Sequence, residues 1–215
     1  EKPIGFDLEK GDWVKPYGEG AKSDLIFEGW KEIRGHLNYD ASLKIIYSKD
    51  REGMLAFYPD FGDLRSRSGL IPPHLAPLRG YEKEWNFEVS YGKGEPIGYR
   101  EENRNFIFRI RTSVNENDEI IQAGYGWFKG DIKWRVVRGK NLFIKFTYYY
   151  NPDPAPENRS LEWSGENLFL KGMNKRELRQ FNRQLRETGI RGVDRVYPNI
   201  DEEDRPKPLP SEDEE

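Results

Sequence analysis

Residues 141–150 read Asn-Leu-Phe-Ile-Lys-Phe-Thr-Tyr-Tyr-Tyr, and their side chains alternate in character. One side carries Leu142, Ile144, Phe146, Tyr148 and Tyr150, and the other carries Phe143, Lys145, Thr147 and Tyr149. A period of two in β-branched and aromatic residues is typical of a β-strand. The Pro-rich run at 151–156 ends it, because proline cannot donate to a ladder. This stretch predicts a β-sheet protein.

Similar alternation occurs on the N-terminal side of this stretch. Together with it, the predicted strands are Asp24–Trp30, Ser42–Ser48, Gly53–Tyr58, Glu84–Tyr91, Asn105–Thr112, Glu119–Gly124, Asp131–Arg138 and Asn141–Tyr150. One apolar and one polar face per strand is typical of antiparallel sheets. We therefore expect an all-β fold, an antiparallel two-sheet sandwich of the jelly-roll type.

The composition favours a folded domain with a core of aromatic rings. The chain has 215 residues, of which 35% are hydrophobic and 14% are aromatic. A low hydrophobic content is common in disordered chains, but such chains are poor in aromatics. A length of about 200 residues suits one sizeable sandwich or barrel domain.

The two ends of the predicted sheet region differ from its middle. Residues 1–22 are rich in glycine and predict an irregular lead-in. Residues 59–80 predict a long Pro-rich connection, and loops of that length are often functional or mobile. Gly124 and Gly126 predict turns or bulges.

One helix is predicted at residues 175–188. Asn174 can cap it, and Glu177 completes an Asn-x-x-Glu variant of the capping box. Leu178, Phe181 and Leu185 form an apolar stripe at helical spacing. We expect a single domain over residues 1–200 that includes this helix.

The last fifteen residues carry most of the negative charge. Residues 201–215 hold eight acids and two bases, a net charge of −6, within a chain of net charge −3. The tail is predicted to be disordered. Residues 1–200 are left with +3, which is far below the charge of a dedicated nucleic-acid binder. We therefore expect no nucleic-acid partner.

Several kinds of chemistry are excluded or disfavoured by the residues present. The absence of cysteine excludes disulfides, thiol catalysis and Cys-based zinc sites. No nucleotide-binding or nucleophile-elbow motif occurs. His36 and His74 lack the spacing of a metal site. Residues 115–119 could offer oxygen ligands to calcium, but a polar hairpin turn explains them equally. We expect no metal or cofactor, and no stretch approaches the ~18 apolar residues of a membrane helix.

Basic side chains on the polar faces of the strands form the first candidate ligand site. They are Arg109, Arg111, Arg135 and Lys145. One interpretation is a ladder of cross-strand charge pairs, each of which contributes little. The other is a basic face for an anionic polymer, because the guanidinium group binds carboxylate or sulfate through two hydrogen bonds.

Aromatic residues beside turns form the second candidate ligand site. They are Tyr125, Trp127, Tyr149 and Tyr150. An exposed flat ring can stack on the apolar face of a sugar, but most rings in such a chain must fill the core. Trp127 lies between the residues Gly126 and Phe128 and is the one that we expect to be partly exposed.

Two enzymatic interpretations remain open at the level of sequence. A glycoside hydrolase needs two acids at a defined separation, and 38 Asp and Glu residues leave the pair undetermined. A polysaccharide lyase needs a group that neutralises a uronate and a Tyr or His acid or base. Arg109, Gln122, Tyr125 and either histidine could supply these roles.

Short motifs give a resemblance to a family. The segments 123–131, 146–152, 158–162 and 167–169, with Pro16–Gly20 and Asp24–Phe27, resemble a pattern in uncharacterised exported bacterial proteins. Residues 122–131 are also similar to the inner strands of jelly-roll polysaccharide lyases, whose Arg, His and Tyr motifs are not reproduced in full here. The family resemblance implies an exported location but no activity.

The first function hypothesis is an exported carbohydrate-binding protein, and its expected partner is a polysaccharide. The alternatives are a lyase or glycoside hydrolase acting on an acidic glycan, and a structural or partner-binding envelope protein. The chain begins at Glu1 without Met, so we expect that a signal peptide, an anchor or deliberate trimming has removed its start. The oligomeric state stays open.

Overall fold

The structure is a computed structural model. It describes residues 2–35, 38–59, 71–92, 101, 103–136 and 142–162, and also 174–177, 179, 180 and 183. The chain divides into two compact units, residues 1–163 and residues 164–215. The predicted domain boundary at residue 200 and the acidic tail lie outside the described residues.

The first unit is mostly β, with antiparallel strands. Its described strands are β1 (Ile4–Asp7), β2 (Asp12–Trp13), β3 (Leu25–Gly35), β4 (Asn38–Ile46), β5 (Gly53–Phe57), β6 (Glu84–Tyr91), β7 (Asn105–Val114), β8 (Ile120–Phe128), β9 (Lys133–Val136), β10 (Leu142–Lys145) and β11 (Tyr148–Asn151).

These strands form three sheets. A five-stranded sheet has the order β2-β1-β3-β4-β6, and a four-stranded sheet has the order β11-β8-β7-β5. The hairpin of β9 and β10 forms a small sheet of its own. Neighbouring named strands pair antiparallel throughout these sheets.

The main core is lined by both large sheets. The five-stranded sheet contributes residues such as Phe27, Leu43 and Phe87, and the four-stranded sheet contributes residues such as Phe108 and Phe128. Many of its contacts are edge-to-face ring pairs, a favoured aromatic geometry. An example is the pair of Trp85 and Phe106, whose ring centroids are 4.9 Å apart at 79°. The predicted core of rings is confirmed.

A second cluster covers the other face of the four-stranded sheet. Its buried residues are Ala76, Ile107, Ala123, Tyr125, Trp127 and Leu161. Two connecting segments supply the cover. Ala76 N donates to Arg159 O and Leu161 N donates to His74 O, so the segments 74–76 and 159–161 pair with each other. The central strands of this sheet are therefore buried on both faces.

Several strand predictions match the structure, and others need correction. The strand Glu84–Tyr91 has the predicted bounds. The lead-in at residues 1–22 was predicted to be irregular, but it contains β1 and β2. The predicted strand Asn141–Tyr150 is two strands, because the chain leaves the ladder at residues 146–147 and changes sheet.

The prediction of turns at Gly124 and Gly126 is wrong, because both lie inside β8. Each faces an aromatic ring of a neighbouring strand. A Cβ at Gly126 would meet the Phe108 ring, and a Cβ at Gly124 would lie 2.8 Å from Tyr150 Oη. Glycine is present here because β8 must admit large rings from two neighbouring strands beside its backbone.

The described part of the second unit contains the start of the predicted helix. Residues 175–177, 179, 180 and 183 are helical. Asn174 Oδ1 accepts hydrogen bonds from the amides of Arg176 and Glu177, and Glu177 Oε2 accepts one from Asn174 N. This confirms the predicted capping box. The end of the helix lies outside the described residues.

Within the described residues, no helix has the length and apolar character needed to cross a membrane.

Candidate functional site

An open cleft of about 730 Å³ lies at one end of the first unit. Four parts of the chain line it. They are the end of the lead-in (Lys22, Ser23 and Asp24), the connection between β4 and β5 (Ser48, Lys49 and Glu52), strands β7 and β8 (Arg111, Ser113, Gln122 and Gly124), and β11 with the residues after it (Tyr150, Pro152 and Pro154). Glu9 completes the lining.

A β-bulge in β7 brings Arg111 to this cleft. The register shifts between Ile110 and Ser113, and Arg111 takes a left-handed backbone conformation with φ of 54°. In an undisturbed strand, Arg109 and Arg111 would share a face. The bulge re-aims Arg111 toward the lead-in instead, as bulges next to functional sites often do.

Arg111 is the centre of a buried charge network. Its Nε and Nη2 atoms donate to the two oxygens of Asp24, each at 2.8 Å, in the bidentate geometry that favours guanidinium–carboxylate pairs. Nη2 also donates to Asp7 Oδ1 at 2.8 Å, and Nη1 bonds Glu9. Asp7 and Asp24 are 2% and 3% exposed. One cation thus holds the lead-in against β7.

The two buried aspartates differ in protonation. Burial and the nearby charges of Asp7 and Glu52 raise the pKa of Asp24 to about 7, although a hydrogen bond from Leu8 N acts in the opposite direction. Burial acts on Asp7 in the same direction, but amide hydrogen bonds from Ala21, Lys10 and Lys22 outweigh it and lower the pKa of Asp7. Arg111 can compensate one negative charge, so Asp24 is the carboxyl that takes up a proton.

Glu52 lines the cleft together with Asp24 and Arg111 and is also buried. Its Oε1 accepts a hydrogen bond from Thr112 N at 3.0 Å, and its Oε2 accepts one from Ser48 Oγ at 3.1 Å. Lys49 Nζ donates to Thr112 O at 2.7 Å and lies 4.0 Å from Glu52. These contacts fix the backbone on the far side of the β7 bulge.

Tyr150 places an aromatic surface and a hydroxyl in the cleft. The ring packs beside Gly124 and stacks on Phe108 with a centroid distance of 6.4 Å. Burial raises the pKa of its hydroxyl. Across the described part of the chain, no group hydrogen-bonds Tyr150 Oη, and the amide nitrogen of Gln122 is likewise uncommitted. The cleft therefore offers unused polar atoms beside a ring.

The predicted aromatic site is corrected by the second core cluster. Trp127, expected to be partly exposed, is 5% exposed, and Tyr125 is 2% exposed. Trp127 stacks on Tyr149 with a centroid distance of 4.7 Å and an angle of 13°. The segments 74–76 and 159–161 cover these rings. Trp127 Nε1 has no hydrogen-bond partner among the described residues.

Arg109 was expected on a solvent-exposed face and is also buried. It is 6% exposed, and its guanidinium donates to the carbonyl oxygens of Arg51 at 2.6 Å and Leu78 at 3.0 Å. It also lies 4.4 Å from the centroid of the Tyr81 ring, a cation–π distance. Arg109 holds the connecting segments onto the sheet and is closed to a large ligand.

The last two predicted residues lie together on the small sheet. Lys145 pairs in register with Lys133, and Arg135 pairs with Phe143. The Arg135 guanidinium is 5.0 Å from the centroid of the Phe143 ring. Of the eight predicted ligand residues, the cleft contains Arg111 and Tyr150, the second cluster contains or packs against three, this hairpin contains two, and Arg109 lies against Tyr81 beside the second cluster.

Of the groups considered for a lyase, Arg109 and Tyr125 are cross-strand partners on β7 and β8. Arg109 and Tyr125 are buried, while His74 is exposed and contacts Glu162. Gln122 lies in the cleft without them. His36 lies outside the described residues. At residues 115–119 the structure has a hairpin turn, in which Asn115 Oδ1 accepts the amides of Asn117 and Glu119.

The sequence analysis did not identify the buried acidic residues of the cleft and of the Arg111 network. Asp24 was placed at the start of a strand, and Asp7 and Glu52 were not singled out. No local signal separates them from the other acids, because each acquires its role from Arg111 or Thr112 far away in the chain. The bulge that creates the site leaves no mark in the alternation of β7.

Comparisons with known proteins gave no match: no protein-family model, curated protein or solved structure is similar to this chain. The resemblance to exported bacterial proteins stays a prediction.

Proposed function

We propose that this protein binds carbohydrate and that the cleft beside Tyr150 is its binding site. The observation that carries the proposal is the cleft itself, an opening of about 730 Å³ with an aromatic ring on one wall and charged and amide groups on the others. Concave sites that combine apolar surface with a few polar groups are the usual form of small-ligand sites.

The uncommitted groups suit a sugar. The apolar face of a pyranose can lie against the ring of Tyr150 and the adjacent Pro152 and Pro154. Its hydroxyls can pair with Tyr150 Oη and with the amide of Gln122, which both donate and accept. Arg111 is held by Asp24, Asp7 and Glu9, so it shapes the wall of the site.

The charge of the site favours a neutral sugar over an acidic one. The single arginine of the cleft already has three carboxylate partners and has little attraction left for a uronate. Glu9, Asp24 and Glu52 balance Lys22, Lys49 and Arg111 in the lining when all are charged. This supports binding of a neutral oligosaccharide more than a lyase acting on an acidic polymer.

The finer fold and the location belong to the same proposal. We infer that the five-stranded and four-stranded sheets form a sandwich of the jelly-roll type, since both contribute to one core. Such sandwiches host many carbohydrate-binding proteins, although the fold by itself does not fix a function. An exported location would bring the protein to polysaccharides outside the cell.

The test is calorimetric titration of the full chain with a panel of neutral and acidic oligosaccharides. We expect a neutral oligosaccharide to bind, and we expect Tyr150→Phe and Gln122→Ala each to weaken binding about tenfold, which corresponds to one lost hydrogen bond. Phe143→Ala is the matched control on the small sheet and should bind normally. Normal binding by both cleft variants, or no binding by the wild type, would refute the proposal.

A further inference from the structure

A second surface, on the opposite side of the five-stranded sheet from the core, exposes a tryptophan. The odd-numbered residues of β3, β4 and β6 face the core, as the burial of Phe27, Leu43 and Phe87 shows. The even-numbered residues therefore face outward. Trp30 is one of them, and it is 53% exposed. We call this outward surface the Trp30 face.

Trp30 lies in a row with two polar residues. It pairs in register with Ser42 on β4, which pairs in turn with Glu88 on β6. Adjacent strands are about 4.8 Å apart, so the row extends roughly 10 Å across the sheet. Ser42 is small, which leaves the indole room to lie over the middle strand.

The polar groups of this row have no hydrogen-bond or ion-pair partner among the described residues. Within the described residues, the side chains of Trp30, Ser42 and Glu88 make no hydrogen bond, ion pair or ring contact. The same is true of Glu28 and Asn86 in the next row. Two fixed pairs frame the Trp30 row. On one side Lys44, which lies in register between Glu28 and Asn86, pairs with Glu84 at 2.6 Å, and on the other Asp40 pairs with Ser90 at 2.6 Å.

The net charge of the Trp30 face favours some classes of ligand over others. Its outward side chains include five carboxylates (Glu28, Glu32, Asp40, Glu84 and Glu88) and two cations (Arg34 and Lys44), a net charge of −3. Such a surface repels acidic glycans, nucleic acids and anionic membranes. Carboxylates accept hydrogen bonds from sugar hydroxyls, and an exposed indole matches the apolar face of a sugar ring.

We propose that the Trp30 face is a binding surface for a neutral polysaccharide chain. The exposed outward surface of the sheet suits an extended polymer, whereas the cleft suits a short or terminal segment. Trp30 supplies the stacking contact, and Ser42 and Glu88 take the hydroxyls along the row. This inference does not depend on the cleft, because the two surfaces share no residue.

The test is retention of the full chain on insoluble cellulose, xylan and mixed-linkage glucan, measured as depletion isotherms. We expect binding to at least one of these polymers, and we expect Trp30→Ala to weaken it by at least about tenfold, a loss of about 1.4 kcal/mol. Trp30→Phe, which keeps a flat ring, should bind better than Trp30→Leu, which keeps only apolar bulk. Raising the salt concentration should leave retention unchanged.

Two controls make the result decisive. Tyr17 is 60% exposed outside this face, and Tyr17→Ala should bind as the wild type does. Phe143 is 43% exposed on the small sheet, outside both surfaces, and Phe143→Ala should also leave retention on the polymer intact. The proposal is overturned if the wild type binds none of these polymers, if Trp30→Ala binds normally, or if Tyr17→Ala loses as much as Trp30→Ala.

Discussion

Strands of both large sheets alternate in sequence, but the two sheets differ in whether their second face is covered. In β6 of the five-stranded sheet, Phe87 is buried while its neighbours Asn86 and Glu88 are exposed. In β7 of the four-stranded sheet, residues 105–110 are all buried. The second face of β7 and β8 is covered by connecting segments, whereas the Trp30 face stays open. Alternation thus identifies a strand, but it does not reveal whether the second face meets water.

The largest loss of stability is expected when a ring is removed from the covered face of the four-stranded sheet. We expect Trp127→Ala to lower the free energy of unfolding by about 3–5 kcal/mol, because it leaves a cavity in the second cluster. Urea denaturation followed by circular dichroism measures this. A loss below about 1 kcal/mol would mean that the covering segments are not packed on the sheet in solution.

A slightly smaller loss of stability is expected when the ion pairs of Arg111 beside the cleft are removed. Arg111→Met should cost about 3 kcal/mol, since it leaves Asp7 and Asp24 buried without their cation. The double variant with Asp24→Asn should recover part of this loss. Arg135→Met on the exposed hairpin is the matched control and should change stability by less than about 0.5 kcal/mol. Equal losses in the two single variants would contradict the role of the network.

The protonation of Asp24 should make stability depend on pH. The pKa of Asp24 is about 7 in the folded protein and near its ordinary value of 3.8 in the unfolded chain. Between these values the folded state binds the extra proton, so the free energy of unfolding falls as pH rises. We expect a fall on the order of 2 kcal/mol from about pH 4.5 to about pH 7.5.

Asp24→Asn should flatten this dependence. The lowered pKa of Asp7 acts in the opposite sense, because its contribution to stability is lost at lower pH, as the pH falls toward its folded pKa. It therefore does not interfere above about pH 4.5. Urea denaturation at several pH values tests the prediction, and a dependence that survives in Asp24→Asn would assign the proton to another group.

The smallest change in stability is expected for a substitution on the Trp30 face. Trp30→Ala should change the free energy of unfolding by less than about 0.5 kcal/mol, because the residue is already half-exposed and makes no hydrogen bond or ring contact within the described residues. The comparison with Trp127→Ala under the same urea conditions is direct, since both remove one indole from a strand. A large loss at Trp30 would show that another part of the protein covers this face.

The sequence predicted most of the strands and only part of the site. Glu84–Tyr91 was found because one of its faces is wet and its alternation is therefore clear. Strands β1 and β2 were missed because Gly5 and Gly11 and the short lengths suggest a loop. Gly124 and Gly126 suggested turns because their real constraint, a ring from a neighbouring strand, is absent from the local sequence.

The sequence analysis identified suitable types of residue, but it did not show which of them lie in the cleft. Arg109 and Arg111 are equivalent in an alternating strand, and only the bulge at Ile110–Ser113 separates them. Tyr150 was singled out for its place near a turn and not for the glycine that admits its ring. Trp30 ended a predicted strand and was not considered, because its exposure depends on what the other strands leave uncovered.

The ion network also has a consequence for biosynthesis. Arg111 follows Asp24 by 87 residues and Asp7 by 104 residues. A ribosome therefore completes the lead-in and every strand of the five-stranded sheet before it makes the cation that pairs with the two aspartates. Until then the lead-in lacks the ion pairs that join Asp7 and Asp24 to β7, so this attachment has to wait for Arg111. Contacts of such long sequence separation slow folding, and this one joins some of the first residues synthesised to a strand made much later.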